Sequence, residues 1–257
     1  MVVTGLIHCS LRLLQTNHDS SMQPPIKATA ILSDKVEHNE KFTQYTFELT
    51  EPHSWSFQAG QYISLKVSDR GDRRSYSIVS SPTNTHGFEL LIENIENGVG
   101  SGYLKQMPFG EQVEFMGPMG VFTVVENIGE EALVFIATGS GVAPFRSMIL
   151  DQLQNKHDTR EITLYWGMRF VDKLFWMEEL QQLAEAFPNF HFHPVISRAV
   201  PEWPLCAGRV TDCLSVHQLP AQAGYYVCGS SGMISDVVTL LGKKEVAPEY
   251  IHHEKFH

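Results

Sequence analysis

The sequence predicts two domains in series: an N-terminal antiparallel β-barrel, then a C-terminal α/β domain with a doubly wound parallel sheet. Two observations carry this reading. Up to about residue 125, apolar and polar residues alternate with a period of two, the mark of half-buried strands. Beyond residue 129, continuous apolar runs of strand length alternate with helical patterns, which argues for a parallel sheet covered by helices. At 257 residues the chain has room for two domains of ordinary size.

In the first half Tyr45, Phe47 and Leu49 alternate with polar residues, as do Ile63, Leu65 and Val67, and then Phe88, Leu90 and Ile92. Turn residues separate these strands at Pro52-His53-Ser54, Asp69-Arg70-Gly71-Asp72, Pro82-Thr83-Asn84 and Glu96-Asn97-Gly98. One helix is predicted over 101–107. In the second half the spacing predicts strands over 132–137, 162–166, 190–196 and 225–228, with helices over 144–153 and 231–241. The expected boundaries are an extension at 1–24, the barrel at 25–126 and the α/β domain at 127–257. Met22, just ahead of Gln23-Pro24-Pro25 and the first clear strand, reads as an alternative start. The residues before it read as a disordered extension, and they lack the basic n-region of a signal peptide.

Composition narrows the function classes. The formal net charge of -10 disfavours nucleic acid as a partner. No stretch approaches the roughly 20 apolar residues that span a bilayer, so no membrane insertion is expected. Cys9, Cys206, Cys213 and Cys228 show no C-x-x-C spacing. Neither a zinc ribbon nor a plant-type iron-sulfur loop fits them, and they read as reduced thiols of a cytoplasmic protein. There is no H-E-x-x-H, and His191 and His193 simply alternate along a predicted strand, so no metal is expected.

Three short runs carry the chemistry. Arg74-Ser75-Tyr76-Ser77 places a cation, an aromatic ring and hydroxyls on one predicted strand, with Arg74 and Tyr76 on one face and Ser75 and Ser77 on the other. A guanidinium fork grips a phosphate, a ring covers a flat heterocycle, and a hydroxyl bonds a ring nitrogen. Taken alone, the run also suits a plain barrel strand with a packed Tyr. Gly98-Val99-Gly100-Ser101 then opens a helix, where free N–H groups favour a phosphate and glycines let it approach the backbone.

The second run, Thr138-Gly139-Ser140-Gly141-Val142-Ala143-Pro144, follows a buried strand and starts a helix. This is the context in which a glycine-rich turn accepts a pyrophosphate. Pro144 suits the first helical turn, where its missing N–H is not needed. The third run, Cys228-Gly229-Ser230-Ser231-Gly232-Met233, again joins a strand to a helix. Both turns therefore belong on the carboxyl edge of one sheet, where open α/β folds bind ligands.

With these motifs in this order, the chain resembles the ferredoxin-NADP reductase superfamily of flavoproteins over about residues 26–256. The family's R-x-Y-S strand, G-x-x-S helix start and G-P-x-G turn correspond to Arg74 to Ser77, Gly98 to Ser101, and Gly117-Pro118-Met119-Gly120. The resemblance implies FAD bound in the barrel. Arg74 would sit on its phosphate, Tyr76 would pack on the isoalloxazine or ribityl chain, Ser77 would lie near N5, and Ser101 would complete the phosphate cradle. It implies a nicotinamide nucleotide held by Thr138, Gly139, Gly141, Pro144, Gly229 and Met233, with Cys228 positioning the ring. The family usually carries prolines after Cys-Gly, whereas this chain has Ser230 and Ser231.

The closing run His253-Glu254-Lys255-Phe256 resembles the family's terminal E-x-F segment. Glu254 would relay a proton or orient the nicotinamide, and Phe256 would cover the flavin. Ser197-Arg198 matches the pair that relatives place on a 2′-phosphate, and Arg169 is a second candidate, so NADPH is expected with NADH open. The expected activity is hydride transfer between NADPH and FAD, with ferredoxin or flavodoxin as the separate electron partner. The net negative charge makes an acidic carrier a less obvious partner unless Lys66, Arg70, Arg73, Arg74 and Lys105 form a local positive patch. The alternatives are an NAD(P)H-flavin or quinone reductase, an oxygenase reductase component and, in another class, a non-catalytic nucleotide-binding module.

Overall fold

Apolar residues on every second position of the first hundred residues pair into one antiparallel sheet that closes on itself. In the computed structural model, which describes residues 24–125 and 129–256, the strands are β1 (Ile26–Glu37), β2 (Phe42–Glu51), β3 (Tyr62–Lys66), β4 (Arg73–Ser77), β5 (Gly87–Glu93) and β6 (Gln112–Met119). They lie in the order β4-β3-β6-β1-β2-β5, and the bridge between Ile78 and Leu90 joins the two ends. Helix α1 (Val99–Gln106) crosses between β5 and β6. The inward positions form an aromatic cluster in which Phe88 packs 5.2 Å from Phe47, 5.5 Å from Trp55 and 4.8 Å from Phe115 between ring centres. Burying such rings stabilises the barrel by about 1.5–3 kcal/mol each, which sets the strand register.

The second half forms a sheet of parallel strands, β7 (Ala132–Thr138), β8 (Glu161–Met168), β9 (Phe190–Ile196), β10 (Cys206–Ala207), β11 (Ala223–Gly229) and β12 (Ile251–Lys255), in the order β10-β9-β8-β7-β11-β12. Helices α2 (Ala143–Leu150), α3 (Met177–Ala186), α4 (Val210–Val216) and α5 (Ser231–Lys243) cover it. From β7 the chain moves outward to β10, then returns to add β11 and β12 on the other side. The order therefore reverses between β7 and β11, and the turns after these two strands flank that crevice.

Apolar side chains of both domains merge into one core: Phe42, Val79, Leu91 and Phe122 of the barrel half pack with Phe135, Phe145, Met148 and Trp166. Arg146 of α2 ties the halves together by donating to the Val79 carbonyl at 2.9 Å and to Glu89 at 2.8 Å, while its Nε donates to Glu179 at 2.9 Å. Ser147 donates to the Ser80 carbonyl at 2.7 Å, and Trp176 Nε1 donates to Gln44 at 2.9 Å.

Two sequence expectations change, and the closing run takes a defined place. The thiols of Cys206 and Cys213 are not reduced but joined in a disulfide, because the turn through Gly208 folds β10 back on α4 and brings the two Cα atoms to 5.8 Å. The chain's end is ordered as β12 along β11. Helix α2 runs on as a π-type segment, Asp151–Asn155. Elements α3, α4 and β10 carry no sequence expectation; α4 and β10 are short, whereas the i, i+3 spacing of Met177, Leu180 and Leu183 in α3 was a readable helical signal. The expectations for Cys9, for Met22 and the extension before it, and for the junction at 126–128 lie outside the described residues. No helix among the described residues is long and apolar enough to cross a membrane.

Candidate active site

The edge strand β4, the loop into α1, the turn after β7 and the end of β12 surround a cleft of about 560 Å³ between the two domains. Its walls include Arg74, Ser75, Tyr76 and Ser77 of β4, Leu91 and Glu93 of β5, Gly98, Gly100 and Ser101 at the start of α1, Ser140 and Ala143, and Glu254 and Phe256. The two-face alternation expected of β4 is kept in its unbroken pairing with β3, where Arg74 and Tyr76 both pack against Gly100, and all four motif residues border the cleft. Arg74 is exposed at the mouth while Ser77 is buried. Burial pushes the Tyr76 phenol up to about 12, so the ring presents a neutral hydroxyl.

Close packing explains the glycines. A Cβ at Gly100 would collide with the Tyr76 hydroxyl and come within 3.1 Å of Arg74 Cγ, so the helix start can lie against the strand only without a side chain. No side chain caps this N-terminus, and its first-turn N–H groups beside the cleft suit an anion. Ser101 lines the cleft, and its hydroxyl also engages the loop before α1. It accepts from Ile95 N–H at 3.2 Å and donates to the Ile95 carbonyl at 3.1 Å, and so fixes the loop from behind.

The glycine-rich turns after β7 and β11 lie on the facing side, where Ser140 and Ala143 line the cleft. Gly139 takes a left-handed φ of 56°, and its carbonyl accepts from Trp166 Nε1 at 3.0 Å, which orients the turn leading into α2. A Cβ at Gly141 would strike the Cys228 carbonyl, and one at Gly229, whose φ is 155°, would strike Thr138 Oγ1. The β7 and β11 turns therefore touch through glycine. Pro144 sits buried in the first turn of α2. Ser230 caps α5 by accepting from Met233 N–H at 3.3 Å, the task of a helix N-cap.

Cys228 and Glu254 are register neighbours across β11 and β12. Burial pushes the Cys228 thiol far up, so it is neutral, and burial raises the Glu254 carboxyl to about 7. Phe256 N–H donates to the Gly229 carbonyl at 3.0 Å, which brings its ring to the cleft wall.

Ser197 and Arg198 lie apart from the cleft, exposed at the end of β9. There the Arg198 N–H donates to the Arg169 carbonyl at 2.9 Å, so two guanidinium side chains rise from neighbouring strand ends. Sequence reasoning missed Glu93, which accepts from Ser140 Oγ at 2.9 Å and pairs with Lys41 at 3.1 Å. Nothing local marks it, since its partner lies in the other domain.

A closed barrel with an uncapped helix start on its cleft wall, facing the switch point of a parallel sheet across a shared cleft, defines the class of two-domain flavin and nicotinamide oxidoreductases. The sequence matches the oxidoreductase FAD-binding domain over residues 29–124 and the oxidoreductase NAD-binding domain over residues 135–239. It is 30% identical over 224 residues to ferredoxin–NADP reductase B of Sorangium cellulosum, covering 83% of this chain and 91% of that protein. It is 35% identical over 206 residues to the reductase component DmpP of a Pseudomonas phenol 2-monooxygenase, covering 78% of this chain and 58% of that protein. The crystal structure of GcoB, an Amycolatopsis reductase, superposes with a TM-score of 0.83 at 28% identity, covering 91% of this chain and 71% of that one. The chain belongs to the ferredoxin-NADP reductase family. It spans only 58% of the length of the first oxygenase reductase relatives.

Proposed function

We propose that the chain carries electrons from NADPH to a separate redox protein, ferredoxin or flavodoxin, using FAD held in the barrel cleft. The observation behind this reading is the meeting of Ser77, Glu254 and Phe256 at one cleft between the domains. The start of α1 at Gly98 and Gly100, without a side-chain cap and on the cleft wall, fits a cofactor phosphate. When bound, FAD accepts a hydride from the nicotinamide and releases its electrons singly or as a pair, so the protein supplies alignment and electrostatics.

Arg74 would grip the flavin phosphate with its fork, and the N-terminus of α1 at Gly98 and Gly100 would accept the same charge. Tyr76 would cover the flavin, and Ser77 would hydrogen-bond its ring system from a buried position. Ser101 would act indirectly, by holding the loop. Thr138, Gly139, Gly141 and Pro144 at α2, with Gly229 and Met233 at α5, would receive the nucleotide pyrophosphate. Cys228, neutral and buried, would position the nicotinamide by contact and not by nucleophilic attack. Glu254 would hold or release a proton near neutral pH, and Phe256 would occupy the ring site until the nicotinamide displaces it. Ser197, Arg198 and Arg169 would hold the 2′-phosphate and so select NADPH over NADH.

A second reading, the reductase component of an oxygenase, is favoured by the identity to the phenol 2-monooxygenase component. Anaerobic mixing of the FAD-loaded protein with NADPH tests the hydride step, and the expected result is bleaching of the flavin. Arg198→Ala should raise the KM for NADPH about tenfold and leave NADH unchanged, and equal catalytic efficiency with the two coenzymes in the wild type contradicts the NADPH assignment. A panel of ferredoxin, flavodoxin and free FMN as acceptors then separates the two readings. A protein that binds FAD and never bleaches is a non-catalytic module.

A further inference from the structure

We propose that Cys206, Cys213 and His217 form a redox-gated site for a thiophilic divalent cation, Zn²⁺, at the sheet edge away from the flavin cleft. Cys213 and His217 are four positions apart on α4 and its C-terminal cap, so they project from one helix face. Cys206 faces them from β10. One ligand atom from each of the three lies within 4.8 Å of the others. Cys206 Sγ is 3.9 Å from His217 Nε2. In a tetrahedral zinc site with Zn–S of about 2.3 Å and Zn–N of about 2.0–2.1 Å, sulfur and nitrogen stand roughly 3.6 Å apart. The histidine is therefore already at coordination distance from the sulfur.

The other ring nitrogen supplies an independent argument. His217 Nδ1 is 2.8 Å from the Tyr165 hydroxyl. When Nδ1–H donates to that oxygen, the Nε2 lone pair is left facing the sulfur, the outer-shell arrangement that metal-binding histidines use. His193 stacks on Tyr165 at 4.8 Å and meets His217 edge-on at 4.9 Å, while Lys244 Nζ donates to the His217 carbonyl at 3.4 Å. Water completes the fourth position.

The disulfide has no thiolate to offer, so the site opens only on reduction. A dithiol reductant delivers two electrons and two protons, the S–S bond becomes two thiols, and the reductant is left as a disulfide. Zn²⁺ then replaces both thiol protons, which leave to solvent. Bond and cation are alternative clasps between β10 and α4. The spacing, six residues between the cysteines and three to the histidine, is not the paired C-x-x-C pattern by which zinc sites are sought in sequence.

The test uses the full chain, reduced with a phosphine and desalted anaerobically, then titrated with Zn²⁺ against a chromophoric chelator, with bound metal counted by elemental analysis. The expected result is one Zn²⁺ per reduced chain and none per oxidised chain. Cys206→Ser and Cys213→Ser should each weaken binding at least a hundredfold, and Tyr165→Phe about tenfold. Co²⁺ in place of Zn²⁺ should give a thiolate-to-metal charge-transfer band that both serine variants lose. Stoichiometric binding by the oxidised chain, none by the reduced chain, or binding that survives Cys206→Ser overturns the proposal. Should a serine variant fail to fold by circular dichroism, the oxidised and reduced wild type decide alone.

Discussion

Replacing Glu254 with Gln removes a proton that the wild-type carboxyl keeps to unusually high pH. Burial raises this carboxyl from 4.5 to about 7. Its register neighbour Cys228 is neutral, so no thiolate shares the titration. At pH 6 roughly nine in ten Glu254 side chains hold the proton, and at pH 8 roughly one in ten. A hydride-transfer step that needs one form therefore changes about ninefold across that window, whereas Glu254→Gln, neutral throughout, gives a flat profile.

Stopped-flow flavin reduction by saturating NADPH, from about pH 5.5 to about pH 8.5, reads the difference. Stability supplies a second readout with a definite sign. The folded carboxyl binds its proton more tightly than the unfolded one, so its stabilisation is full below about pH 4.5 and lost as pH rises through about 7. The full shift corresponds to about 3 kcal/mol, and the partial exposure of Glu254 reduces this to about 1–2 kcal/mol. In urea unfolding, Glu254→Gln should gain that amount over wild type between about pH 4.5 and about pH 8. A rate step with the same midpoint in the variant, or a stability difference independent of pH, refutes the reasoning.

Two further substitutions probe the framework. Gly100→Ala places a Cβ on the Tyr76 hydroxyl, while Gly102→Ala in the same helix meets nothing within 4 Å. FAD affinity, read by fluorescence titration of the apoprotein, should fall about tenfold in the first and stay unchanged in the second; equal affinities would mean that the close seat of α1 on Tyr76 does not shape the FAD site. Arg146→Met strands Glu89, Glu179 and the Val79 carbonyl at the domain junction and should cost about 2–4 kcal/mol in urea unfolding. Arg146→Lys should recover little of it, because one ammonium cannot reproduce the guanidinium fork. A loss below about 0.5 kcal/mol in Arg146→Met would show that the junction does not depend on this residue.

Much of the architecture was legible in local pattern. The alternation of Tyr45, Phe47 and Leu49 and the apolar run of 132–137 have periods set by backbone geometry, so strand type and domain class follow from neighbours in sequence. The turns at Thr138-Gly139 and Cys228-Gly229 were legible for the same reason: a strand ending in glycine before a helix is a short-range signal. The bonds of Ser101 to Ile95 were not legible, because they depend on how its loop folds back. The pairing of Cys206 with Cys213 failed because no spacing rule describes a two-residue strand turning onto a short helix.

By itself, then, the sequence determined the order of domains, the glycine turns and the residue types brought to the cleft, since each depends on contacts within a few positions. Only the tertiary structure decided which side chains meet. Ser140 reaches Glu93 across the domains, Arg146 joins them, Glu254 lies beside Cys228, and His217 faces a disulfide. These pairs depend on how two sheets pack, and packing is settled by the shared core and not by any local run of residues.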